Sequence, residues 1–114
     1  MTNIFKILEE AIFLQAQSDG YFNGTEIDLK DGYIHFSTAA QVQETAAKHF
    51  SGITNLLLLA VSTNSLGAAL KWEISRGGQL FPHLYQKLDF THVMWAKPLP
   101  WNGTMHIFPP ETFL

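Results

Sequence analysis

Asn55-Leu56-Leu57-Leu58-Leu59-Ala60-Val61 is an unbroken apolar run of strand length, with Ser51-Gly52 ahead of it and Thr63-Asn64-Ser65-Leu66-Gly67 behind. A strand points successive side chains to opposite faces, so a run without polar alternates is expected to be a central strand buried on both. At 114 residues the chain is long enough for one domain and one core but not two. Strand-rich and helical segments alternate along it, and the expectation is a single α+β domain over residues 1–114 with two main N-terminal helices.

Apolar spacing places the other elements. Ile4-Phe5-Lys6-Ile7 reads as a first strand, and 8–17 carries Leu8, Ala11, Ile12 and Ala16 at helical spacing until Ser18-Asp19-Gly20 stops it. Residues 21–30 have mixed polarity around Asn23-Gly24 and are expected as an irregular loop or weak edge strand. A second strand, 33–36, is entered through Asp31-Gly32. Thr38 is a good helix N-cap with Gln41 three residues on, so a helix is expected over 39–50 with Val42, Ala46 and Phe50 on one face. Leu70, Trp72 and Ile74 alternate with Lys71 and Glu73 as in a half-buried interior strand. Gly77-Gly78 breaks the chain before Phe81-Pro82-His83-Leu84-Tyr85, expected as a proline-restrained loop. Residues 91–96 read as a strand, and Asn102-Gly103 as a hairpin turn with its return strand at 105–108.

Composition removes several functions. Six scattered lysines and the single arginine, Arg76, give a formal net charge of -3, and no basic stripe is present to follow a duplex backbone. Duplex nucleic acid is not an expected partner, and a single nucleotide stays open. The chain has no cysteine, which removes disulfides, thiolate nucleophiles and cysteine-ligated zinc and fits a cytoplasmic setting. Glu9 and Glu10 interrupt the first apolar segment, so no signal peptide is expected, and the run ending at Val61 is too short to span a bilayer. A metal centre is not expected, because no His-Glu-x-x-His or comparable spacing occurs.

The candidate site comes from two histidines set among aromatic and hydroxyl residues. In Asp31-Gly32-Tyr33-Ile34-His35-Phe36-Ser37-Thr38, strand alternation puts Tyr33, His35 and Ser37 on one face and Ile34 and Phe36 on the other. That polar row ends where Ser37 and Thr38 open a helix, whose free N–H groups favour an anionic or carbonyl oxygen. In the second segment His83 lies between Pro82 and Leu84, with Tyr85 two positions on. Two readings are open for each histidine: a ligand-facing or catalytic group, or a satisfied hydrogen-bonding group beside the core. Glu73 either partners a histidine or is solvated beside Lys71. His49, His92 and His106 read as structural or exposed.

These motifs together resemble the small bacterial family catalogued as domain-of-unknown-function nine-fifty-two. The resemblance runs from Ile4-Phe5-Lys6-Ile7 through Asp31 to Thr38 with Gln41, 58–61 and Trp72-Glu73 to Phe81-Pro82-His83-Leu84-Tyr85. Where that family usually has an aspartate after the buried strand and a glycine after the last tyrosine, this chain has Ser62 and Gln86. The family is similar to the ADP-ribosyltransferase fold, which implies a split mixed β-sheet with a cleft that holds NAD in active members. In that comparison His35 faces the nicotinamide or phosphate pocket, on a strand that resembles the histidine-bearing strand of RNA 2'-phosphotransferases. The first strand of such enzymes carries His-Gly-Thr or an arginine; here Phe5-Lys6-Ile7 stands in its place. No glutamate corresponds clearly to the one that activates a ribose hydroxyl, Glu73 being early in the chain and Glu111 late.

Two functions of different kind follow. One is a present or former transferase of ADP-ribosyltransferase or RNA 2'-phosphotransferase type, binding NAD or another nucleotide or phosphorylated ligand. In it His35, His83 and Tyr85 form the catalytic set, and Tyr33, Ser37, Thr38 and Glu73 contact the ligand. The other is a non-catalytic interaction module, which predicts a filled cleft and an apolar patch around Trp95 or Trp101.

Overall fold

The apolar run forms the central strand of a sheet that divides the core into two layers. The computed structural model describes residues 2–114. In chain order the elements are β1 (Asn3–Glu9), α1 (Glu10–Asp19), β2 (Tyr21–Phe22), α2 (Glu26–Asp31), β3 (Ile34–His35), α3 (Ala39–His49), β4 (Leu56–Ser62), β5 (Leu70–Ile74), β6 (Leu80–Leu84), β7 (Leu88–Asp89) and β8 (Val93–Pro98). β4 lies between β1 and β8, antiparallel to both. Its Leu56, Leu58 and Ala60 pack with Phe5 and Ile7 of β1, Val42 and Ala46 of α3, and Leu99. Leu59 and Val61 point the other way, into a second layer with Ile4, Leu8, Ala16, Phe22, Ile34, Phe36, Leu66, Leu84 and Leu88. One strand thus supplies both layers, as its lack of polar alternates requires.

The second sheet has the order β3-β6-β5. Backbone hydrogen bonds of 2.8 and 2.9 Å between Phe5 and Ser37 join these two sheets, and β2 and β7 form a third, two-stranded sheet. Pro82 sets the place of the Phe5–Ser37 junction. Phe36 donates to the Pro82 carbonyl at 3.0 Å, but proline has no N–H to return, so the β3–β6 ladder ends there and the chain leaves for β1. Every named strand pairing is antiparallel, which corrects the expected mixed sheet. All the pairings are made by hairpins and returning connections, with no parallel neighbours.

Among the described residues the two main α-helices expected, α1 and α3, are joined by a short third. The unexpected one, α2, falls in the segment assigned to a loop. It starts at a capping box in which the Asp28 N–H donates to Thr25 Oγ1 at 3.3 Å and the Thr25 N–H donates to Asp28 Oδ2 at 2.9 Å. It ends at Gly32, whose φ of 87° only glycine adopts at little cost. α3 begins where Thr38 predicts, with the Thr38 N–H bonded to Gln41 Oε1 at 3.1 Å, and it buries Val42 and Ala46.

Three further expectations change. β5 is an edge strand, not an interior one. The face of Leu70, Trp72 and Ile74 is read correctly, yet only Leu70 reaches the core. The β5–β6 hairpin overhangs it, so Trp72 is exposed and Ile74, opposite Leu80 near the tip, is 74% exposed. Phe81 to Leu84 belong to β6, the middle strand of the second sheet, and not to a loop. The Asn102-Gly103 turn forms, closed by the Asn102 N–H to the Met105 carbonyl at 3.0 Å, but its return is a single Trp101–His106 bridge and no strand. Ser62 serves where the family has aspartate: its Oγ accepts the Asn64 N–H at 3.3 Å and caps the following turn. Gln86 takes the bend after Tyr85 without a left-handed φ. No helix among the described residues is long and apolar enough to cross a membrane.

Candidate functional site

The register of the second sheet brings the two histidines together. His35 of β3 is directly opposite His83 of β6, and His83 is in turn opposite Lys71 of β5. Neighbours on opposed positions share a face. That face carries Tyr33, His35, His83 and Tyr85 as one aromatic group. The Tyr33 ring stacks on His83 with centroids 4.0 Å apart, lies 4.6 Å from His35 and 5.3 Å from Tyr85, and the imidazoles are 5.5 Å apart. The Lys71 ammonium sits 5.4 Å from the centre of the Tyr85 ring. Beside the group, a shallow groove of about 240 Å³ runs from Asp28 and Gly32 to Tyr85 and Gln86.

Each histidine is held by a carboxylate at Nδ1. For His83 it is Glu73, whose Oε1 accepts from Nδ1 at 2.8 Å and from the Tyr85 hydroxyl at 2.7 Å. An ionised carboxylate only accepts, so the proton of the neutral His83 ring is on Nδ1 and its lone pair on Nε2. Nε2 has no hydrogen-bond partner among the described residues, and the ring lies buried under Tyr33, 2% of His83 being exposed. This is the arrangement of an oriented base, and it resolves the two readings of Glu73 in favour of the histidine partner. The bonds from Tyr85 and then His83 hold Glu73 below the usual carboxylate range against a smaller effect of burial. The same bond pushes the Tyr85 hydroxyl up to about 12, because ionising it would set two negative charges side by side. Tyr33 is raised too, first by burial and then by the charges of Asp31, Glu73 and Asp28. Glu73→Gln should therefore return Tyr85 toward an ordinary phenol. Ultraviolet titration of the tyrosinates should show one tyrosine moving to lower pH, and an unmoved curve would remove the Tyr85–Glu73 bond from this account.

For His35 the carboxylate is Asp28, which the sequence reading missed. Asp28 is 2% exposed, and its Oδ1 accepts from His35 Nδ1 at 2.6 Å, the His35 backbone N–H at 3.1 Å and Lys6 Nζ at 3.1 Å. Lys6 Nζ is also 2.9 Å from Oδ2. Burial alone would raise the Asp28 carboxyl, but the His35 hydrogen bond, the Lys6 charge and the Thr25 N–H together hold it well below the carboxylate range. Lys6, 8% exposed, is lowered by burial, with Asp28 opposing. The outward His35 nitrogen, Nε2, is 2.9 Å from Asp31 Oδ2. Both ring nitrogens thus face carboxylates, Nδ1 through a hydrogen bond and Nε2 at ion-pair distance, and a carboxylate oxygen can only accept. His35 is placed to donate where His83 is placed to accept.

Of the expected site residues, Tyr33, His35, Glu73, His83 and Tyr85 converge. Ser37 and Thr38 are engaged at the junction instead: Ser37 Oγ bonds Thr45 Oγ1 of α3 at 2.9 Å, and the Thr38 backbone opens α3. Among the described residues no group of three or more His, Asp, Glu or Cys side chains is arranged to hold a metal ion. His106 is structural, with Nε2 on the Ile53 carbonyl at 2.9 Å, and His49 ends α3 beside Arg76 at 3.2 Å.

Comparison with solved structures agrees with this fold. The chain is similar to the crystal structure of protein CC0527 from Caulobacter crescentus, with 45% identity over 99% of this chain and 100% of that one and a TM-score of 0.94. The solution NMR structure of CC0527 is similar at 48% identity, covering 93% of this chain and 91% of that one, with a TM-score of 0.84. No curated protein matches the chain. The family described as "Protein of unknown function (DUF952)" matches residues 7–96, and the chain belongs to it.

Proposed function

We propose that the Tyr33–His35–His83–Tyr85 face, with Glu73, is a ligand-binding cleft of ADP-ribosyltransferase-like type that takes NAD or another nucleotide or phosphorylated ligand in the cytoplasm. The observation that carries this reading is the direct pairing of His35 with His83, each ring fixed at Nδ1 by a carboxylate. A core histidine needs one satisfied hydrogen bond, whereas two oriented imidazoles among tyrosines supply a donor, an acceptor and a stacking surface in one place. In this reading the base or sugar stacks on Tyr33 and Tyr85, His83 Nε2 accepts from a ligand hydroxyl, and His35 donates to a ligand oxygen. Lys6 stands where the resemblance puts the nicotinamide clamp, and it is buried against Asp28. The proposed role is accordingly binding, or phosphoryl or ribosyl chemistry assisted by the two histidines, without that clamp.

The alternative, a non-catalytic interaction module, is favoured by the Tyr33 ring lying over His83. Trp95 and Trp101 themselves are half-buried, and exposed apolar side chains occur both beside them in the chain, at Met94, Met105 and Ile107, and on the β5–β6 hairpin, at Trp72, Ile74 and Leu80. Calorimetric titration with NAD, ADP-ribose and simple nucleotides separates the two. At least one of these ligands should bind wild type and lose roughly tenfold in affinity in His35→Ala and in His83→Ala, from one lost hydrogen bond apiece. Binding unchanged in both variants would remove the cleft, and no binding by wild type would leave the interaction module as the better account.

A further inference from the structure

We infer that the outward nitrogen of His35 is the docking point for a phosphoryl oxygen of the ligand, and that the Asp31 carboxylate competes for that point. This rests on the cleft proposed above and names the group of the ligand that meets it.

The two carboxylates at His35 are built differently. Asp28 is buried and held by Lys6, the Thr25 N–H and the His35 backbone N–H as well as by the ring. Those bonds already fix the position and tilt of the imidazole. Asp31 is 40% exposed at its side chain, and the 2.9 Å contact with His35 Nε2 is its one ion pair among the described residues, with no side-chain hydrogen bond elsewhere. It is the last residue of α2, followed by Gly32 with φ of 87°, so nothing beyond it holds the carboxylate in place. A residue that positioned His35 would itself be positioned; Asp31 is not. An ion pair this exposed is weak against water and other anions. To an imidazole N–H, a carboxylate oxygen and a phosphoryl oxygen are equivalent acceptors. The groove of about 240 Å³ is lined by Gly32, Tyr33 and Ile34, which separate Asp31 from His35 in the chain, while neither Asp31 nor His35 lines it. The Asp31 charge also acts on the cleft as a whole, since it contributes to raising Tyr33, so an entering anion meets both a competitor and a like charge.

Removing the Asp31 charge should tighten phosphate binding, whereas losing a positioning residue would weaken it. The test is titration of wild type, Asp31→Asn and Glu26→Gln with inorganic pyrophosphate and with ADP-ribose, followed by the ring-nitrogen NMR signals of His35. Glu26 is an exposed residue of the same helix without an ion pair or side-chain hydrogen bond to His35, and its variant changes net charge equally. Asp31→Asn should bind about three- to tenfold tighter than wild type, the range set by an exposed charge pair and its repulsion, with the His35 Nε2 signal moving at lower probe concentration. Glu26→Gln should match wild type. If Asp31→Asn binds equally or more weakly, or Glu26→Gln gains as much, the inference is overturned while the cleft stands. If no phosphate-bearing probe binds wild type or Asp31→Asn, the phosphorylated-ligand reading of the cleft falls, and the inference with it. Asp31 is exposed, so an unfolding midpoint near that of wild type confirms that the variant reports on binding.

Discussion

Asp28→Asn is expected to cost about 3–5 kcal/mol of stability, the usual loss when one partner of a buried ion pair is removed. A domain of this size holds roughly 5–15 kcal/mol in all, so the variant should be near the edge of folding at 37 °C. The cause is Lys6. Its ammonium is buried in the layer that holds Ile4 and Leu8, and Asp28 is the one carboxylate in ion-pair contact with it among the described residues. Asparagine keeps the shape but not the charge, and it turns an amide N–H₂ toward groups that already donate. Urea unfolding at pH 7 measures the loss. Lys6→Met combined with Asp28→Asn should recover part of it, because the unpaired charge is then gone.

The pH dependence follows from the direction of the Asp28 shift. Its folded-state pKa is depressed below the unfolded value of about 3.9, so the carboxylate contributes stability that is fully present above that value and is lost as pH falls toward the folded-state pKa. The gap between wild type and Asp28→Asn should therefore be constant from neutral pH down to about pH 5 and narrow below about pH 4. A gap under about 1 kcal/mol at pH 7, or one that does not narrow in acid, would show that Asp28 is not the ionised partner of Lys6.

Leu59→Ala is the second large effect, with an expected loss of about 2–5 kcal/mol for truncating a fully buried leucine. Leu59 is 0% exposed and lies between β1 and β8, in the layer that also holds Ala16 of α1, Ile34 of β3 and Leu84 of β6. Cover on every side leaves a cavity that the sheet cannot close. Leu80→Ala, on the overhanging hairpin, should cost well under 1 kcal/mol, since Leu80 is exposed. Equal losses at the two positions would contradict the assignment of β4 as the strand around which both layers form.

The run that makes β4 was legible because a two-faced buried strand leaves an unmistakable trace in sequence: no polar residue at any alternate position. The Thr38–Gln41 box was legible for a local reason, since both its partners lie within one helical turn. Alternation alone placed Tyr33 and His35 on one face. What it could not place was His83 opposite His35, because a pairing between residues 48 apart is decided by register. Pro82 pointed to a loop, as proline rarely sits in a middle strand, and it is tolerated here only because the ladder on that side ends where its N–H would be needed. Helix α2 left little trace: its Ile27 and Leu29 are both 65% exposed, so no apolar stripe marks it. Thr25-x-x-Asp28 was the available signal, an N-cap with an acidic residue three positions on. Lys6 could not be read as buried, because its partner is 22 residues away and a lysine in a strand is ordinarily a solvated alternate. The polar support of the site was therefore hidden while its aromatic face was visible.

The paired imidazoles as one binding surface are tested most directly by ring-nitrogen NMR of the histidines during titration with ADP-ribose. The account predicts that the His35 and His83 signals move together on one binding curve, with those of His49, His92 and His106 unmoved, and that in His83→Ala the His35 signal moves only at about tenfold or more higher ligand concentration while His35 keeps its Asp28 contact. A ligand that binds and shifts backbone signals elsewhere, with both rings unmoved, would contradict it.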